Sequence, residues 1–108
     1  MDFRELEERV VAFREARGWA KYHTPKNLAI SAAVELGELL EHFQWESDGE
    51  ILEAVSDPGK KEAIADEIAD VVIYLTLLAH ELGIDLDEAL ERKLRKNGEK
   101  YPAEKIEE

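Results

Sequence analysis

Cysteine is absent, which excludes disulfides and thiolate metal sites and fits a reducing interior. No stretch approaches the roughly 20 consecutive apolar residues that a membrane-spanning helix needs. The opening MDFRELEERV is charged from its second residue and does not read as a secretory signal, so a cytoplasmic protein is expected. Strand-type alternation, low-complexity tracts and long linkers are also missing. Cations are scarce. Fourteen Lys and Arg face 26 Asp and Glu, a formal net charge of −12 that disfavours nucleic acid polymers and anionic membranes as partners. A small anionic ligand remains compatible with this charge where cations are supplied locally, and a bound metal supplies them directly.

What the sequence does contain is helix. At 44% hydrophobic, 108 residues can bury a core, and the length suits one domain spanning 1–108. A helical chain this short often completes its core by oligomerising. Asp2 with Glu5 reads as a capping box and Gly18 as a stop, framing a helix near 3–17. Thr24 and Pro25 open a second helix running to about Trp45. Ser47 and Glu50 cap a short turn or helix over 48–55. Asp57 and Pro58 start a third long helix ended by Gly83, and Asp85 with Glu88 a fourth ended by Gly98. The polar tail YPAEKIEE is expected to fray. The fold class is therefore all-α, a four-helix-bundle-like domain.

Two of these helices carry the same anomaly. In VELGELLEHF (34–43) and DEIADVVIYL (66–75), two acids stand three residues apart within an otherwise apolar pattern. On a helical wheel, Ser31, Glu35, Glu38 and His42 form a narrow stripe. Leu28, Ala32, Leu36, Leu39, Leu40 and Phe43 border it on one side, with Ile30, Val34 and Trp45 on the other. Glu67, Asp70 and Tyr74 form the matching stripe, between an arc of Ile64, Ile68, Val71, Leu75, Leu78 and Leu82 and a border of Ile73 and Leu77. A solvated face would be wider and mixed in charge. Isolated acid pairs such as Glu7/Glu8 or Glu88/Glu91 are ordinary surface in a chain this acidic. Two stripes in the same phase on consecutive long helices are not.

Facing one another across a cleft, four carboxylates cannot all stay ionised without a compensating charge. Side chains three apart on a helix, with Cβ atoms roughly 5–6 Å apart, can share one ion. Neither His42 nor His80 follows a Glu by three residues, so the Glu-x-x-His pattern of di-iron bundles is absent. Carboxylate-only ligation by Glu35, Glu38, Glu67 and Asp70 points to Mg²⁺, or Mn²⁺, and to phosphate chemistry. In ERKLRKNGEKY (91–101), cations suit a helix C-terminus. There Lys93 and Asn97, one turn apart, can also reach a phosphate together. Trp45 and Tyr74 lie beside the acidic stripes, where a flat ring could hold a nucleobase.

The spacing of Glu35/Glu38 and Glu67/Asp70 resembles the signature of the MazG-like all-α nucleoside triphosphate pyrophosphohydrolases. FREARGWAKYHTPKNLAISAAVELGELLEHFQWES, DEIADVVIYLTLLA and KLRKNGEKYP are similar to the dCTP pyrophosphatase branch of that family, so the resemblance covers roughly residues 10–102. It implies Mg²⁺-dependent hydrolysis of a nucleoside triphosphate between the α and β phosphates, with the four acids as metal ligands. It also implies that Trp19, His23 and Trp45 line the base and sugar pocket, and that Tyr74, Lys93, Asn97 and Tyr101 contact the phosphates. Family members form dimers or dimer pairs with the site near the interface, so a homodimer or homotetramer is expected. Val34 stands where many members have a further acid, leaving a set of four, of which Glu38 is the first choice for the general base and Glu35 its companion. Val10 stands where the cytosine-preferring vertebrate branch has a pocket histidine, which leaves the base open. The alternatives are a metal- or nucleotide-binding protein without turnover and a helical interaction module.

Overall fold

Local capping chemistry sets the helix boundaries seen in the computed structural model, which describes residues 2–103. Helix α1 (Phe3–Ala16) begins where the Asp2 side chain accepts the Glu5 N–H at 2.8 Å. It ends in a turn at Gly18, whose φ of +66° is a conformation other residues adopt only at a cost. A single 3₁₀ turn (Ala20–Tyr22) leads to α2 (Pro25–Glu41), capped by Thr24 Oγ1 accepting the Asn27 N–H at 3.2 Å. Helix α3 (Asp48–Ala54) carries the full reciprocal capping box between Ser47 and Glu50. Asp57 caps α4 (Pro58–Glu81), which closes at Gly83, also at φ +66°. Asp85 caps α5 (Leu86–Lys100).

Two expected boundaries move. Helix α2 stops at Glu41 rather than near Trp45, and residues 42–46 form tight turns in which the His42 N–H reaches back to the Leu39 carbonyl. Helix α5 runs through Gly98 to Lys100. A helical glycine costs only about 1 kcal/mol relative to alanine, and Gly98 keeps a negative φ while the next turn closes through Tyr101 N–H to the Asn97 carbonyl. Residues 104–108 of the polar tail lie outside the described residues.

The protein is all-helical across the described residues, and α2 with α4 forms its most extensive packed pair. The two run antiparallel: Lys60 near the start of α4 meets His42 at the end of α2, while Tyr74 meets His23 just before α2 begins. Leu28 and Ala32 from α2 are buried, as are Ile64, Leu77 and Ala79 from α4. Helix α1 crosses the C-terminal part of α4, tied by Glu7 to His80 at 2.7 Å and by Arg14 to Glu81. Helix α5 packs lightly on α1.

The bundle is open. Its radius of gyration is 17.4 Å, against about 13 Å for a compact domain of this length. It exposes 8517 Å², where a folded monomer of this size exposes about 6,100 Å². Leu36, Leu40, Ile68 and Leu75 from the main arcs, with Ile30 and Val34 from the other border, stay exposed. The stripe itself faces the α2/α4 seam. No helix is long and apolar enough to cross a membrane among the described residues.

Candidate metal and nucleotide site

Because α2 and α4 are antiparallel, stripes in matched phase are brought face to face. Glu35, Glu38 and Glu67 each offer a carboxylate oxygen within 4.8 Å of the others. One oxygen of Glu35 and one of Glu67 are buried with no hydrogen-bond partner. Unpaired buried carboxylate oxygens are costly, and nearby carboxylates add to the cost. Burial, first, then the hydrogen bond to Glu38 and the charges of Glu38, Asp70 and Glu67 push the Glu35 carboxyl up to about 7. Without a cation, the cluster therefore retains a proton near neutral pH. Hard oxygen donors, converging and partly desolvated, fit a hard divalent ion. Asp70, one turn along α4 from Glu67, lies outside the tight trio and is exposed.

Asp70 instead joins the trio to a cavity of about 500 Å³ whose wall includes Trp19, His23, Tyr74, Val10, Phe13 and Arg14. Its aromatic rings pack edge to face, His23 on Tyr74 at 6.4 Å and Phe13 on Trp19 at 5.8 Å. Burial and the charge of Arg14 lower the pKa of His23, opposed in part by Glu81, so the ring is neutral at physiological pH. Its Nδ1 is buried and without a partner. The arrangement is linear, with the rings at one end, Asp70 next to them, and Glu35, Glu67 and Glu38 beyond.

The residues singled out in the sequence separate into two groups. Glu35, Glu38, Glu67, Asp70, Trp19, His23 and Tyr74 lie along this one groove. Trp45 does not reach the same cavity. It is 84% exposed in the turn after α2, at the Lys60 end of the pair, and Lys60 is about 21 Å of helix from Tyr74. Lys93, Asn97 and Tyr101 ride on α5, which packs on α1 rather than on the α2/α4 seam. Tyr101 is exposed, with the Lys100 ammonium 5.3 Å from its ring.

Sequence reasoning missed Arg14 and the Lys60–His42 pair. Arg14 shares a helical face with Leu6, Val10 and Phe13, so a cation among apolar residues was a visible signal. Its partner Glu81, 67 residues away, was not visible. Lys60 Nζ sits 2.8 Å from His42 Nδ1, one turn past Glu38 on the stripe, and only the register of α2 on α4 brings the two together.

In sequence and in fold the chain is similar to known proteins. The family model described as MazG-like matches residues 30–108. The chain is 40% identical over 91 residues to human dCTP pyrophosphatase 1, covering 84% of this chain and 54% of that protein. It is 39% identical over 90 residues to the rat protein of the same name, covering 83% and 53% respectively. The chain thus spans about half the length of the curated relatives it matches. A crystal structure of a pyrophosphatase from Archaeoglobus fulgidus DSM 4304 superposes with a TM-score of 0.83 at 48% identity, covering 93% of this chain and 92% of that one.

Proposed function

Since this chain belongs to the MazG-like family, we propose that it hydrolyses a nucleoside or deoxynucleoside triphosphate, a pyrimidine such as dCTP, to the monophosphate and pyrophosphate. One observation carries the reading: orphaned buried oxygens of Glu35 and Glu67, beside Glu38 and one helical turn from Asp70 in the wall of an aromatic-lined cavity. The names of the similar proteins, dCTP pyrophosphatase and pyrophosphatase, support the same reaction class.

Glu35, Glu38 and Glu67, with Asp70 at the cavity side, would hold Mg²⁺ or Mn²⁺. Such an ion offsets the charge of phosphate oxygens and lowers the pKa of a water it binds. The protein's own groups divide the remaining work. The rings of Trp19, His23 and Tyr74 hold the base. Glu38, the exposed carboxylate of the trio, is the group that positions and deprotonates the attacking water. The water oxygen bonds to the α-phosphorus, the bond to the α–β bridging oxygen breaks, and pyrophosphate leaves.

A second copy of the chain completes the assembly as a homodimer or homotetramer. About 2,400 Å² of surface beyond that of a compact monomer is in the range that obligate homodimers bury. The uncovered arcs flank the site, so a partner there can deliver its Trp45 ring, and its α5 cations, to a cavity that this chain's own copies do not reach.

The deciding experiment measures pyrophosphate release from a panel of ribo- and deoxyribonucleoside triphosphates with and without Mg²⁺. Mg²⁺-dependent pyrophosphate in one-to-one ratio with monophosphate is expected. Release of orthophosphate instead, or no release by the folded protein, would overturn the reading and leave a metal- and nucleotide-binding site.

A further inference from the structure

Arg14 is the one charged side chain that is buried among the described residues, at 4% exposure. Its Nε and Nη2 donate to Glu15 Oε1 at 3.2 and 3.0 Å, and its Nη1 donates to Glu81. A guanidinium carries five N–H protons, so two remain after these three bonds. They belong to a group that forms part of the cavity wall beside His23 and Tyr74. Two carboxylates offset its charge. To a ligand in the cavity, Arg14 therefore offers directional donors more than net charge.

Resting on the reading that this cavity receives a nucleobase, we propose that Arg14 determines base specificity by selecting an edge with two adjacent hydrogen-bond acceptors. Among pyrimidines this is the O2/N3 edge of cytosine. Uracil and thymine carry a proton on N3, so a donor would meet the donors of a guanidinium that is itself only 4% exposed, and both would go unpaired. A site built to hydrogen-bond one partner rejects the mismatched analogue far more strongly than shape alone can. Lysine at this position would keep the charge and lose the planar pair of donors.

The experiment compares kcat/KM for dCTP, dUTP and 3-deaza-dCTP, in which a C–H replaces the N3 acceptor. The unaltered protein should prefer dCTP to each of the others by about 10- to 100-fold. Arg14→Lys should collapse the dCTP-to-dUTP ratio through a raised KM for dCTP, leaving dUTP within a few-fold. An arginine with a structural role alone would lower both substrates equally, and that result overturns the proposal. So does indifference of the unaltered protein to loss of the N3 acceptor, a comparison that holds even where Arg14→Lys fails to fold. Absence of pyrophosphate from every triphosphate would instead sink the hydrolase reading. Calorimetric affinities for dCTP and 3-deaza-dCTP would then decide the role of Arg14, with equal affinities refuting it.

Discussion

Divalent metal binding should be coupled to release of a proton from Glu35, and the coupling has a definite size. With its carboxyl raised to about 7, Glu35 is protonated in most metal-free molecules at pH 6 and ionised in most at pH 8. A cation ligated by Glu35 must displace that proton. The apparent Mg²⁺ affinity should therefore rise about tenfold per pH unit below pH 7, or about 1.4 kcal/mol per unit, and level off above it. Proton release should approach one per ion well below pH 7 and fall away well above it. Calorimetric titration in two buffers of different ionisation enthalpy measures both quantities. Glu35→Gln should abolish the proton release and weaken binding at every pH. The same shift governs metal-free stability. The folded pKa lies above the unfolded one, so the native state binds more protons between about pH 4.5 and pH 7. Stability should accordingly be greatest below this window and fall as pH rises through it. Pyrophosphate-independent Mg²⁺ binding with no pH slope and no proton release would refute the assignment of Glu35 as a desolvated ligand.

Glu38→Gln should lower turnover by at least about a hundredfold with the helical circular dichroism unchanged, and an active variant would remove Glu38 from the role of base. Light scattering should give two or four times the monomer mass; Leu40→Glu, placing a charge on a residue 54% exposed in the single chain, should shift that mass toward the monomer. Leu28, at 0% exposure in the α2/α4 seam, should cost about 2–5 kcal/mol on truncation to alanine, read from the urea midpoint.

How legible the protein was depends on the range of the interaction concerned. Asp2, Thr24, Ser47, Asp57 and Asp85 each cap a helix through a bond to a backbone N–H three residues on, so these starts could be read directly from sequence. The phase of the two acidic stripes was equally local, because 3.6-residue periodicity alone places Glu35 with Glu38 and Glu67 with Asp70. Gly98 misled, since a glycine signals a helix end only where the chain takes up a positive φ, as at Gly18 and Gly83.

The register of α2 on α4 was decided by tertiary packing. That register puts Glu67 within reach of Glu35 and Glu38 and leaves Asp70 facing the cavity. The crossing of α1 over α4, equally non-local, joins Arg14 to Glu81 across 67 residues. Periodicity says which residues share a face but not which face meets which, nor which arcs are left uncovered. The sequence by itself therefore determined an all-helical chain with two matched carboxylate pairs. Only the packed structure determined which oxygens lose their water, because desolvation is a property of neighbours distant in the chain.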